Sequence, residues 1–76
     1  MKKVCGSLVV KNTRESPMKL VLEPWASEIT LLPGENEQIV FEGPEAGQIE
    51  IDVGPDSTAV WGWEGSVLSF KRENLS

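Results

Sequence analysis

The sequence predicts an all-β protein: a small antiparallel β-sandwich or partly open barrel of six to seven strands, in a single domain over residues 1–76. Its seven Gly and five Pro divide the chain into short segments rich in Val, Ile, Leu and Trp, which is typical of strands joined by turns. Residues 48–53 alternate strictly between polar and apolar side chains, as in a strand with one face on a core. No window of helical length has apolar residues at three-to-four spacing.

Turn-forming residues mark where the strands begin and end. The first segment ends at a turn-prone stretch over residues 12–17, and Pro24, which lacks a backbone N–H, marks either the end of the second strand or a sheet edge. Residues 32–35 (Leu-Pro-Gly-Glu) predict a turn with Pro at its second position and Gly at its third. Glycine-bearing loops over residues 43–47 and 64–65 separate later segments. The predicted strands span residues 4–11, 19–23, 27–32, 36–42, 48–53, 58–63 and 66–71.

Two hairpins are predicted from the faces on which apolar residues fall, because a shift of one residue would move every side chain to the other face. A hairpin between the sixth and seventh strands pairs Trp61 with Leu68. A hairpin between the fourth and fifth strands pairs Ile39 with Ile51. The predicted core collects these faces: Leu8, Val10, Leu20, Leu22, Ile29, Leu31, Ile39, Phe41, Ile49, Ile51, Val53, Trp61, Leu68 and Phe70.

Charge is divided unevenly along the chain. The net charge is −5, yet residues 20–70 carry ten acidic side chains and no Lys or Arg. An acidic excess argues against a nucleic-acid partner, because such binding is dominated by cationic neutralisation of phosphates. It also argues against an anionic membrane surface. The seven basic residues all lie outside this stretch: Lys2, Lys3, Lys11, Arg14, Lys19, Lys71 and Arg72.

The sequence is poor in residues for enzyme chemistry. It has no His and no Tyr, which removes the usual general base near neutral pH. Cys5 has no histidine to activate it, and no Cys/His cluster is present to bind a transition metal. The loop over residues 52–57 lacks the spacing of a known calcium loop. We therefore expect no enzyme activity, no cofactor and no metal site.

Compartment and membrane association are predicted from cysteine usage and apolar runs. The single cysteine excludes an intramolecular disulfide, and no signal peptide is visible at the N-terminus. The longest apolar runs have about three residues, far below the ~20 that span a bilayer. We expect a soluble, cytoplasmic protein.

The tryptophans are the strongest binding candidates. Trp61 is expected in the core, whereas Trp63 at a hairpin end and Trp25 near Glu23 are expected at the rim. Partly exposed Trp is enriched at the hot spots of protein interfaces. Glu64 lies at the predicted hairpin tip beside Trp63. The candidate interaction residues are thus Trp25, Trp63, Glu23 and Glu64.

Three motifs resemble the pattern of one group of proteins. They are Leu20-Val21-Leu22-Glu23-Pro24-Trp25, Leu32-Pro33-Gly34-Glu35 and Val60-Trp61-Gly62-Trp63-Glu64-Gly65-Ser66. Over roughly residues 20–70 the chain resembles short uncharacterised bacterial proteins with an E-P-W, L-P-P-G-E and V-W-G-W-x-G-S pattern. Leu32 stands where that pattern has its first proline. The resemblance implies a bacterial protein, and it transfers no functional residue because the group has no established activity.

The function predicted from the sequence is a non-enzymatic binding or protein-interaction module with an acidic surface. One predicted partner is a protein with a basic surface. The other is a second copy in a homodimer, with the cationic N-terminal segment of one copy on the acidic face of the next. The alternative function is a small-ligand binder or minimal hydrolase, with a carboxylate-lined cleft at a dimer interface.

Overall fold

A computed structural model describes residues 2–74, which form seven strands and a short 3₁₀ helix. Each predicted strand is present, and no strand end differs from its prediction by more than two residues. No helix over residues 2–74 is both long and apolar enough to cross a membrane. The elements are β1 (Lys3–Lys11), β2 (Met18–Glu23), β3 (Ser27–Leu31), β4 (Asn36–Pro44), β5 (Glu50–Val53), β6 (Ser57–Trp61), β7 (Val67–Phe70) and the 3₁₀ helix (Lys71–Asn74).

The strands form two sheets, which confirms the predicted all-β class. One sheet has three strands in the order β1-β4-β7, and the other has four in the order β3-β2-β6-β5. Over the described residues the sheets are not closed into a barrel. All pairs are antiparallel except β2 with β6, where Leu20 lies beside Thr58 and Leu22 beside Val60. After β3 the chain forms β4 in the other sheet and then returns to the four-stranded sheet as β5 and β6. There β6 lies beside β2 and runs in the same direction.

The core lies between the two sheets, where alternate residues of each strand point inward. Its buried apolar side chains are Met18, Leu20, Leu22, Leu31, Ile39, Val60, Leu68 and Phe70. Half-buried side chains that pack against them are Leu8, Val10, Ile29, Phe41 and Ile49. Most of the predicted core is therefore confirmed. The prediction was wrong for Ile51, Val53 and Trp61, which are exposed.

Both predicted hairpins were wrong, although the turns themselves form. β7 pairs with β4, which places Phe70 opposite Ile39. β5 pairs with β6, which places Ile51 opposite Val60. The turn after β6 has its expected hydrogen bond, from Ser66 N to Trp63 O at 2.9 Å. The chain leaves that turn into the opposite sheet, so a local turn does not imply a local strand pair.

The predicted turn over residues 32–35 is confirmed and is held from outside by the backbone of Asn12, whose N donates to Glu35 O at 2.9 Å and whose O accepts from Gly34 N at 2.8 Å. Glu35 N donates to Leu32 O at 2.9 Å, and Gly34 has a φ of 86°, as a type II turn requires. Asn12, fully buried at the end of β1, binds this region: its Nδ2 donates to Leu31 O and to Ser16 O, each at 2.9 Å. Asn12 thereby ties the loop after β1 to the end of β3.

Candidate functional site

The outer face of the four-stranded sheet carries an exposed tryptophan among carboxylates. Trp61 of β6 lies opposite Glu50 of β5 and beside Glu23 of β2. Residues paired in this way project from the same face of a sheet. Asp52, two residues along β5, projects from that face as well. We call Glu23, Glu50, Asp52 and Trp61 the Trp61 face.

The orientation of Trp61 follows from the alternation of β6. Thr58 and Val60 are buried, so the residue after Val60 must point outward. Trp61 is 37% exposed, and its Nε1 donates a hydrogen bond to Asp52 Oδ2 at 3.0 Å. This bond satisfies the indole N–H and holds the ring in one orientation. The expectation that Trp61 lies in the core was wrong because it depended on the mistaken pairing with Leu68.

Basic side chains do not neutralise the Trp61 face. Within the described strands of this sheet the one basic residue is Lys19, whose Nζ lies 3.7 Å from a carboxylate oxygen of Glu28. Among residues 2–74, none of the three carboxylates of the Trp61 face forms an ion pair. A negative potential therefore surrounds the exposed indole.

Four of the seven basic residues lie at the three-stranded sheet. Lys3 and Lys11 belong to β1, and Lys71 and Arg72 follow β7, so these four lie at the three-stranded sheet. Two acidic residues of β4 are paired there, Glu42 with Lys3 at 3.2 Å and Glu37 with Arg72 at 2.7 Å.

A groove continues from the Trp61 face toward the end of β6. It has a volume of about 500 Å³ and is lined by Gln48, Glu50, Asp52, Trp61, Gly62 and Trp63. That volume lies within the 300–1,000 Å³ typical of ligand sites, although this groove is open along one side. Its lining contains two carboxylates, two indoles and no basic group.

Trp63 forms a rigid wall of the groove. It is half-buried, and its Nε1 donates to Pro44 O at 2.9 Å. Its ring packs edge-on against Phe41 with centroids 6.2 Å apart. It also contacts Gly43 and Gly47, and at Gly47 the space that a β-carbon would need is occupied by the indole. The predicted partial exposure of Trp63 is therefore present, but its N–H and part of its ring are occupied by Pro44, Phe41 and Gly47.

The other sequence-predicted candidates lie around this site rather than in the groove. Glu23 is half-buried and adjoins Trp61, which makes it part of the Trp61 face. Trp25 is 42% exposed in the turn after β2, and its ring tip lies 2.9 Å from the position of a β-carbon on Gly62. Glu64 is exposed in the turn between Trp63 and Ser66.

The sequence analysis missed Trp61 as a surface residue, and its candidate interaction residues included neither Glu50 nor Asp52. A signal for the correct arrangement was present. Residues 54–56 (Gly-Pro-Asp) form a turn sequence, and pairing across it brings Glu50 and Asp52 to the same face as Trp61.

The groups exposed at the site are carboxylates and an indole. No group of three or more His, Cys, Asp or Glu within the described part of the chain is placed to hold a metal ion. Carboxylates and an indole face together attract ammonium and guanidinium groups. Comparison with protein-family models, curated proteins and solved structures found no match.

Proposed function

We propose that this protein is a non-enzymatic interaction module that binds a cationic segment of a partner protein at the Trp61 face. One observation carries the proposal: an exposed indole lies between Glu23 and Glu50, with its N–H held by Asp52. A Lys or Arg side chain placed over this ring contacts the π-face and the carboxylates together.

A cation over the indole supplies one part of the binding energy of such a complex. A cation over an indole contributes about 0.5–1 kcal/mol when exposed and about 2 kcal/mol when desolvated. Arginine is the better match, because its planar guanidinium stacks on rings and binds carboxylates through two donors. The hydrogen bond to Asp52 already orders Trp61, which lowers the entropy lost on binding.

The test is a titration of the protein with an Arg-containing peptide, with the heat of binding measured by calorimetry. Trp61→Ala should weaken binding about tenfold, which corresponds to about 1.4 kcal/mol. Glu50→Gln should weaken it by a smaller factor. Glu45→Gln is the matched control, because it removes the same charge from an exposed residue in the loop after β4.

Two outcomes would contradict the proposal. Equal losses for Glu50→Gln and Glu45→Gln would mean that net charge alone attracts the peptide. Equal affinity for an acidic peptide of the same length would mean that the carboxylates contribute nothing.

The predicted homodimer remains a proposal, and the separation of charge between the sheets supports it. In this dimer the cationic N-terminal segment of one copy, which includes Lys3 and Lys11 of β1, lies on the Trp61 face of the next. Light scattering should show an assembly at low salt that dissociates at high salt, because exposed charges are screened beyond about 10 Å at 0.1 M. A monomer at both salt concentrations would refute the dimer, together with the interfacial cleft that the alternative ligand-binding or hydrolase function requires.

A further inference from the structure

The β5 strand is an edge whose inward face is uncovered. β6 is its neighbour on one side, and no described strand lies on the other. Ile51 and Val53 face inward, because they lie opposite the buried Val60 and Thr58, yet they are 50% and 80% exposed. At the β7 edge, by contrast, the inward residues Leu68 and Phe70 are buried.

The uncovered face results from the unequal widths of the sheets. Among the described strands β5 packs chiefly against β6 and little against the three-stranded sheet, so this edge of the four-stranded sheet overhangs the other. A cleft of about 390 Å³ remains beside the overhang, with apolar walls from Val9, Val10, Met18, Ile51 and Val53. Lys11 and Arg14 also line this cleft. Apolar side chains therefore fit its walls, whereas cationic ones would meet like charges.

The backbone of β5 is directed for pairing with another strand. Gly54 N donates to Ser57 O at 2.8 Å, which makes this a hydrogen-bonded pair of the β5–β6 hairpin. Such pairs alternate along an antiparallel ladder, so Asp52 with Ala59 is the next hydrogen-bonded pair. The intervening residues Val53 and Ile51 consequently direct their N–H and C=O groups away from β6, toward the open edge.

The two faces of the edge specify different side chains. Glu50 and Asp52 project from the outer face, beside Trp61, and are exposed. Ile51 and Val53 project over the apolar cleft. A strand added here would match both faces if it alternated basic residues with apolar ones.

We infer that the partner binds by strand addition: an extended segment of alternating cationic and apolar residues pairs antiparallel with β5. This inference rests on the proposed function and specifies the form of the cationic partner. Main-chain hydrogen bonds to Ile51 and Val53 provide affinity, while alternate side chains provide specificity. The outward Arg or Lys residues pair with Glu50 and Asp52, and the inward residues fill the cleft.

A second copy of this chain fits the edge less well. Two β5 strands paired with each other would place Glu50 and Asp52 of one copy beside the same carboxylates of the other. Like charges opposite one another across a strand pair are destabilising. The edge therefore selects a basic strand over itself.

The test uses the full chain and three peptides of alternating Arg and Val. The first is unmodified, the second is N-methylated at the Val residues, and the third is N-methylated at the Arg residues. In antiparallel addition the peptide residues opposite Ile51 and Val53 lie on the same face as these two residues, and they donate their N–H groups to the carbonyl oxygens of β5. Methylation at Val should therefore weaken binding at least tenfold, whereas methylation at Arg should change it less than threefold, as the matched control.

Hydrogen exchange of the backbone amides provides a second measurement. The unmodified peptide should slow exchange at Ile51 and Val53 at least tenfold, because their N–H groups become paired. Equal binding of the two methylated peptides, or unchanged exchange at both amides, would overturn strand addition while leaving the proposed function intact. If no peptide binds, the proposed function fails as well. Protection of these amides in the peptide-free protein that rises with its concentration would assign the edge to a second copy and overturn the inference.

Discussion

Replacement of Asn12 tests how strongly its side chain holds the loop after β1 to the end of β3. Its side chain is fully buried and makes three hydrogen bonds of 2.9 Å: Nδ2 donates to Ser16 O and Leu31 O, and Oδ1 accepts from Arg14 N. Each such bond contributes about 1 kcal/mol net to stability. Asn12→Ala should therefore lower the free energy of unfolding by about 3 kcal/mol.

That loss is a large part of the stability available to a chain of this size. At about 0.05–0.15 kcal/mol per residue, 76 residues have roughly 4–11 kcal/mol in total. A loss of about 3 kcal/mol should lower the melting temperature by about 12–24 °C, at about 4–8 °C per kcal/mol. Urea denaturation followed by circular dichroism measures the same change as a lower midpoint with an unchanged slope.

Two further variants make the test specific. Thr13→Ala alters the exposed neighbour and should change stability by less than about 0.5 kcal/mol. Asn12→Asp keeps the shape and one acceptor but places an oxygen against the carbonyl oxygens of Leu31 and Ser16, so it should cost more than Ala. A loss below about 1 kcal/mol for Asn12→Ala would refute the argument, because it is smaller than the net contribution of one of the three hydrogen bonds.

Three more predictions follow from burial. Ile39→Ala should lower the free energy of unfolding by about 3 kcal/mol, because Ile39 is fully buried. Ile51→Ala should lower it by less than half of that, because Ile51 is 50% exposed. Equal losses in urea denaturation would contradict the open position of β5. Arg72→Ala should lower the free energy of unfolding by about 2 kcal/mol, because it leaves the carboxylate of the buried Glu37 with only a backbone N–H donor. A melting temperature equal to that of the native chain would contradict this. Acrylamide should quench part of the tryptophan fluorescence, because two of the three indoles are at least 37% exposed, and full protection of all three would contradict that exposure.

Local sequence predicts local structure in this protein because turns depend on a few adjacent residues. Pro33 presets the φ of one turn position, and Gly34 accepts the positive φ of the next. Gly65, with a φ of 85°, does the same in the turn after Trp63. Strands between such turns were predicted within a few residues for the same reason.

Strand pairing was not predictable in this way. The alternation in β5 shows that Ile51 and Val53 share one face and Glu50 and Asp52 the other, but it does not identify the neighbouring strand. The apolar match between Trp61 and Leu68 was as good as the true match between Phe41 and Leu68. Pairing choices of this kind depend on the simultaneous fit of all strands, which no single segment contains.

The candidate site shows the same division. Trp63 was predicted at a rim from its place at a hairpin end, and it lines the groove. Glu23 was a candidate because it is near Trp25, and it lies in the Trp61 face. Trp61 itself was missed, because its direction depends on Val60 being buried between the sheets. A single residue of register decides whether a strand tryptophan is core or surface.

By itself the sequence determined the all-β class, the turn positions, the separation of acidic from basic segments, and which residues share a face of each strand. These follow from backbone preferences of Gly and Pro and from the two-residue period of a strand. The tertiary structure alone decided that Trp61 joins three carboxylates on the outer face and that β5 extends beyond the smaller sheet. Both results depend on how separate strands are arranged, since the neighbour of a strand and the width of the facing sheet are properties of the whole fold.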